Sequence, residues 1–437
     1  MPSNHRPRQL ASAAVSVGLV LALAACAQDY PNSTFNPNTE FNRAIDALWD
    51  QLLFWGTIVF VAVEAALIFT IVKFRRREGS PEPKHVHGNT TLEILWTVAP
   101  AIILVLIAVP TVRTIFRTQA KAVPDALQVE VIGHQWWWEF YYPEYGIRTA
   151  NELYVPIGRT VNFALKTQDV LHSFWVPQMG GKRDLIANHT NYLWFTPDSV
   201  GLDAQAWNGF CTEYCGASHA NMKFRLYTVA PEQFDRWAAH QASPAVFGAV
   251  TPAAPVAPPA GAGAGSTGAS LQLAAGAAGA TAQDSLAATA TPPAPAGEPY
   301  WFPREQLPAH TIPTARIPRG LTVNDALVGD AERGREIYSR SSCIGCHNIT
   351  GNPTSVGRLG PDLTHFGSRH TIASGMYDNN PRMLAAWLKN ARAMKPGSLM
   401  PTLGKTERDP ITGDAPIGGG LDDQQIADIV AYLLALK

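Results

Sequence analysis

The chain has 437 residues, a formal net charge of −1 and a hydrophobic content of 46%. Its 34 Lys and Arg balance 35 Asp and Glu, so no broad basic field exists and a nucleic-acid partner is excluded. The length suits about three domains, and the five cysteines fall in three separate settings, none of which needs a structural disulfide.

Residues 1–25 read as an export signal. His5, Arg6 and Arg8 give a basic start, and Ala13 to Ala25 form an apolar stretch too short to span a bilayer. The stretch ends Leu23-Ala24-Ala25-Cys26, which resembles the bacterial lipobox. That resemblance implies a lipidated Cys26 and an anchor in membrane lipid at the outer face. A transmembrane hairpin is expected over 40–120, with spans at 48–74 and 92–116, each of about 25 residues. Lys73, Arg75, Arg76, Arg77 and Lys84 put the intervening loop inside, so both ends of the hairpin face outward. The expected location is the bacterial inner membrane, crossed more than once, with the later domains on the periplasmic side. Glu64 and Glu93 are carboxylates in or beside the spans, where charge faces a partner or a water path.

From 125 to 231 the pattern becomes β-rich. Leu127–Ile132, Trp136–Tyr142, Val161–Lys166, Tyr192–Phe195 and Phe224–Val229 read as short strands between Gly, Pro and Asn turns. A β-sandwich or barrel without a long helix is expected. Its chemistry lies in Cys211-Thr-Glu213-Tyr-Cys215-Gly-Ala-Ser-His219-Ala-Asn-Met222, with His172 upstream. Thiolate, imidazole and thioether together suit copper. Two thiolates allow both sulfurs to bridge two ions, with one histidine closing each end. A structural Cys2His2 zinc site and a Cys211–Cys215 disulfide are the other readings.

Residues 244–320 read as a linker. Its first part, 244–297, is almost wholly Ala, Gly, Pro, Ser and Thr and buries too little surface to fold. As a flexible coil it would span roughly 40 Å. Tyr300 to Gly320 is richer in proline and aromatics and is expected to lie extended along a surface. A second redox domain follows at 326–437. Cys343-Ile-Gly-Cys346-His347 is a CxxCH sequence, the signature of covalent c-type haem, with His347 as an axial iron ligand. Asp330 to Arg340 reads as a helix leading into it. Asp422 or Asp423 caps a final helix carrying Ile426, Ile429, Val430 and Leu433. Met376, Met383, Met394 and Met400 compete for the sixth iron position, and Met400 is preferred for its loop setting. His365 and His370 read as ordinary surface or loop histidines.

The C-x-E-x-C-x-x-x-H-x-x-M string, the His172-Ser-Phe-Trp175 segment and the Gly133-His-Gln-Trp136-Trp-Trp138 run resemble subunit II of haem–copper cytochrome c oxidases. The likeness covers about 40–230. Gly334, Tyr338 and Gly360-Pro361-Asp362-Leu363 resemble class I cytochromes c. The combined arrangement resembles the caa3-type oxidases. It implies a multidomain chain: a two-helix transmembrane hairpin, a β-sandwich cupredoxin domain and an all-α class I cytochrome c domain.

The resemblance further implies a binuclear CuA centre bridged by Cys211 and Cys215 and closed by His172 and His219. Met222 and the Glu213 carbonyl would be weak axial ligands, and the Glu213 carboxylate would reach a Mg2+ shared with subunit I. Trp136 would be the electron-entry residue and Glu93 the mouth of a proton path. The Pro361 carbonyl would receive the ring N–H of His347. Partners implied are subunit I, with haem a, haem a3 and CuB, subunit III, and an external cytochrome c or a quinol-oxidising complex as donor. Related classes fit less well: quinol-oxidase subunits lack the copper ligands, nitrous oxide reductase has a large catalytic domain, and a copper chaperone needs no membrane hairpin.

Overall fold

A computed structural model describes Gly18 and residues 30–79, 87–119, 123–198, 204–245 and 298–437. Cys26, the leader before it apart from Gly18, and linker residues 246–297 lie outside the described residues.

Helix α1 (Glu40–Phe74) starts where the Thr39 hydroxyl accepts the Asn42 N–H. Helix α2 (Thr90–Gln119) starts at Asn89, whose side chain accepts the Leu92 N–H. Both are longer than the expected spans because polar turns continue them at their ends. Beyond its first turns α1 presents large apolar side chains outward, Phe60 and Phe69 among them, as does α2. The first turn of α1 is different. Phe41 is buried in the core of the next domain, and Asn42 Nδ2 donates to the Pro177 carbonyl at 3.1 Å. The hairpin is therefore fixed to the outer domain by packing as well as by chain connection.

Ten strands form two five-stranded sheets. The first has the order β3-β2-β1-β5-β8, from Ile147–Ala150, Trp137–Tyr142, Leu127–His134, Val161–Thr167 and Asn191–Phe195. The second has the order β4-β10-β9-β6-β7, from Glu152–Pro156, Lys223–Val229, Gln205–Cys211, His172–Trp175 and Arg183–Leu185. The β1–β5 and β4–β10 pairs are parallel and the others antiparallel. Inward residues alternate along β1 (Leu127, Val129, Val131) and meet Phe140, Phe163, Phe174 and Phe224, all fully buried. Helix α3 (Pro231–Ala242) closes one end, laying Trp237 on Tyr154 with ring centroids 4.6 Å apart.

One observation differs from the surface reading of Tyr300 to Gly320. Phe302 is fully buried among the sandwich residues, and its N–H donates to Tyr154 Oη at 3.2 Å. At the other end of the expected linker, the Ala245 N–H donates to the Thr350 carbonyl. Tyr300 and Phe302 supply apolar area that an Ala/Gly/Pro tract lacks.

The C-terminal domain contains α4 (Ala331–Arg340), α5 (Cys343–Cys346), α6 (Pro381–Lys389), α7 (Ala391–Met394) and α8 (Asp423–Ala435). A ribbon of β11 (Thr371–Ile372) and β12 (Tyr377–Asp378) is added to the helices. Asp330 caps α4, and Asp422 with Gln425 forms a capping box on α8. These helices cross closely because residue 334 is glycine: a Cβ there would run into the Asp428 carbonyl. Arg333 beside it forks onto the Asp428 carboxylate at 2.5 and 2.7 Å.

Candidate metal and haem centres

Strand β9 ends at Cys211, and the loop that follows turns back through Cys215 and His219 before β10 begins. Neighbouring β6 begins at His172. Its pairing with β9 (Phe174 opposite Cys211) brings the histidine to the same end of the sheet. The side chains form a linked chain. His172 Nδ1 stands 3.8 Å from Cys211 Sγ, the two sulfurs are 3.7 Å apart, and His219 Nδ1 is 3.6 Å from Cys215 Sγ. Met222 Sδ lies 3.9 Å from Cys215 Sγ, and the Glu213 carbonyl 3.3 Å from Cys211 Sγ. The Glu213 carboxyl is exposed. The sulfur spacing is far beyond the ~2.05 Å of a disulfide bond. His172 and Met222 are fully buried, and Cys211 and Cys215 nearly so.

The electrostatics fit ligands. The Cys215 thiol points at Cys211 and holds it down to about 4, with burial opposing and His172 adding to the effect. The same contact pushes the Cys215 thiol up. The pair thus shares one negative charge readily and resists carrying two without a cation. Burial alone would lower His172, but the Asp169 carboxylate 2.8 Å from Nε2 and the Cys211 sulfur together outweigh it and raise the ring. Asp169 orients this imidazole so that Nδ1 faces the thiol, as carboxylates do behind metal-bound histidines. Asp169 sits in an exposed turn and carries no motif, so sequence reasoning missed it. Gly133, which opens the aromatic run leading into β2, makes room for the His172 ring. A Cβ there would stand 2.7 Å from His172 Cδ2.

The three tryptophans separate. Trp136 is half-buried and donates its indole N–H to the Cys215 carbonyl at 2.8 Å; Gln135 Nε2 donates to the same oxygen. Trp137 stacks on His134, with centroids 4.1 Å apart. Trp138 lies in the core against Phe174 and Phe224. Glu93 is exposed in the first turn of α2, and Glu64 half-exposed in α1.

In the C-terminal domain Cys343 and Cys346 lie on the single turn of α5, with free thiols. His347 follows, and its Nδ1–H donates to the Pro361 carbonyl at 2.7 Å. Burial lowers His347, so the ring is neutral near pH 7 and Nε2 remains available as a ligand. Gly360 leaves room for this ring, since a Cβ there would lie 2.6 Å from His347 Cε1. Met400 is half-buried on the loop after α7 and packs on the domain core, as do Met376 and Met383, while Met394 is buried and its carbonyl accepts the Tyr377 hydroxyl. His365 and His370 are not surface residues: both are buried, donating to the carbonyls of Ser243 and Phe302.

Three family models match. "Cytochrome C oxidase subunit II, transmembrane domain" covers residues 36–114, "Cytochrome C oxidase subunit II, periplasmic domain" covers 146–229, and "Cytochrome c" covers 331–437. Cytochrome c oxidase subunit 2 of Alkalihalophilus pseudofirmus is 30% identical, over 87% of this chain and 83% of its own length. The Bacillus subtilis protein of the same name is 28% identical over 95% of both chains. A solved periplasmic domain of cytochrome oxidase subunit II from Bradyrhizobium japonicum is 27% identical, covering 28% of this chain and 96% of its own, at a TM-score of 0.26.

Proposed function

We propose a function from one premise: the chain belongs to the cytochrome c oxidase subunit II family and carries a cytochrome c domain at its C-terminal end. It is a subunit of a terminal oxidase, which implies a subunit I as partner, and its two apolar helices and periplasmic-type domain fit a membrane protein with an outer-side domain. Within that family we read it as the electron-entry subunit of a caa3-type enzyme. Electrons from an external cytochrome c, or from a quinol-oxidising complex, enter at the C-terminal domain and cross to the β-sandwich. They leave toward haem a and the haem a3–CuB site of subunit I, where O2 becomes water with proton translocation.

The donor sets fit these groups. Cys211, Cys215, His172 and His219, with Met222 and the Glu213 carbonyl, would hold a binuclear copper centre. Cys343 and Cys346 would bind haem covalently, and His347 and Met400 would hold its iron. When bound, copper and haem supply one-electron exchange, so the chain needs no general acid or nucleophile. The protein's part is orientation and exclusion of water. Asp169 aims His172, the Pro361 carbonyl keeps the proton of His347 on Nδ1, and the buried Met222 packs against Cys215 Sγ. The Trp136 indole meets the Cys215 carbonyl and is the natural point at which an electron enters the copper site. The Glu213 carboxylate would reach a Mg2+ at the subunit I boundary, and Glu93 would serve a proton path there; subunit III is a further partner. Cys26, lipidated, would add an outer-face anchor to an inner-membrane, multi-pass chain.

The observation carrying this reading is the unbroken His172–Cys211–Cys215–His219 chain at 3.6 to 3.8 Å. Electron paramagnetic resonance of the purified, oxidised complex tests it. A two-copper mixed-valence signal together with a low-spin c-type haem is expected. A metal-loaded, oxidised sample with no copper signal would overturn it.

A further inference from the structure

The C-terminal domain is seated on the β-sandwich through polar groups that are themselves buried. Glu152 (β4) and Arg225 (β10) are opposite one another across the parallel strands, and each is 4% exposed. Glu152 Oε1 accepts the backbone N–H groups of His370 and Thr371 at 2.8 and 3.0 Å, both from the other domain. Arg225 donates to the carbonyls of Thr311 and Gly375 at 2.8 and 3.3 Å. From the opposite side Lys395, also 4% exposed, reaches back to the sandwich. Its Nζ donates to the Trp136 carbonyl at 2.5 Å, to Ser374 Oγ at 2.8 Å and toward the Ala373 carbonyl at 3.4 Å. Three acceptors match the three N–H bonds of an ammonium. Ser374 Oγ donates to the same Trp136 carbonyl, and Ser218 Oγ to the Pro396 carbonyl.

The backbone is shaped for this contact. Ala373, Ser374 and Gly375 are consecutive left-handed residues, a conformation that needs its surroundings to hold it. Gly397, with φ +85°, lies flat on Trp136; a Cβ there would stand 2.5 Å from the indole. Domain contacts formed only in passing are wet and keep their charges at the rim. Burying three charged side chains, each with at least one hydrogen bond made across the contact, marks a defined seat, because undocking would break those bonds while the groups stay buried or lose their partners.

We propose that Glu152, Arg225 and Lys395 are positioning residues that latch the C-terminal domain onto the β-sandwich, seating the Lys395–Gly397 loop on Trp136. The docked domain thereby covers Trp136. An external protein donor must then deliver electrons to the C-terminal domain and cannot approach the copper site at Trp136. The proposal rests on the electron-entry reading for its functional consequence and on the contacts alone for the latch.

The test uses the assembled, cofactor-loaded oxidase and its Glu152→Ala, Lys395→Met and Lys395→Arg variants. Hydrogen–deuterium exchange over residues 366–378 and 394–400 is expected to quicken about tenfold in the Ala and Met variants, as a docked segment opens. Lys395→Arg should retain most of the protection. Flash-initiated transfer between the two domains should slow about tenfold or more, because a fixed contact becomes a tethered encounter. Direct, concentration-dependent oxidation of a soluble cytochrome by the copper site should appear, with the copper and haem spectra unchanged. Wild-type exchange and transfer rates in Lys395→Met would overturn the latch. Should Glu152→Ala lose its copper signal, the Lys395 pair decides alone. Failure of the wild-type copper signal would count against the functional reading, whereas the exchange measurement judges the latch either way.

Discussion

Asp169 contacts no sulfur, yet it decides where one does. Its carboxylate accepts from His172 Nε2 and from the Gln135 N–H at 2.6 Å, so the loop before β6 and the Gln135–Trp136 segment are fixed by one residue. Asp169→Asn keeps the shape and loses the charge that holds the imidazole. Copper affinity is expected to fall about 10- to 100-fold, measured by competition with a chelator of known affinity, while the sandwich melts as before. An unchanged affinity would mean that His172 is held by packing alone. The candidate cysteine, histidine and methionine donors were legible in the sequence because their chemistry is specific and, His172 apart, those of the first site lie close together in the chain. Asp169 and Gly133 were not, because an aspartate in a turn or a glycine in a strand looks the same with or without a histidine beside it.

At the scale of elements, the crossing of α4 and α8 leaves no room for a side chain at residue 334. Gly334→Val would drive a branched side chain into the Asp428 backbone. Overpacking of this kind costs about 1–3 kcal/mol or more. Calorimetry of the complex should show the haem-domain transition lowered and the sandwich transition unmoved. A shift of both would show that the two domains melt as one unit. The start of α4 at Asp330, the cap of α8 and its apolar face were readable from local rules, as were five of the ten sandwich strands. Ile147–Ala150, Glu152–Pro156, His172–Trp175 and Arg183–Leu185 were not: they hold three to five residues, too few for alternation to show, and pairing across the sheet defines them, as it does the seven-residue Gln205–Cys211.

At the scale of the whole molecule, a second contact joins α3 to the C-terminal domain. The His240 and His365 rings lie 4.4 Å apart, centroid to centroid, with Trp301 beside His240 and Asp362 and Arg369 acting on His365. Burial, and then the facing His365, lowers His240 to about 4. Its unfolded value is near 6.5. A base whose folded pKa is depressed favours the folded state when neutral. That stability is complete above about pH 6.5 and is lost as pH falls from there toward 4. The haem-domain melting temperature should therefore drop between about pH 7 and 5, followed by haem absorbance, and His240→Leu should lessen the dependence, leaving the part carried by the likewise lowered His365. An equal drop in that variant would place the titration elsewhere. The buried positions of His365 and His370 escaped sequence reading because nothing nearby in the chain covers them; residues 243 and 302 do.

The sequence by itself determined the family, the candidate donor residues and the order of the domains. Apart from His172 and Met400, the candidates follow from motifs whose members lie within about a dozen residues, and the domain order follows from composition that changes sharply between segments. Only the tertiary structure decided how His172 meets the two thiols, which carboxylate aims it, and how the C-terminal domain sits on Trp136. Those contacts join residues up to 259 positions apart, as Lys395 does with Trp136. Their physical basis is burial of polar groups that must find partners, and a linear pattern does not record which partner each one finds.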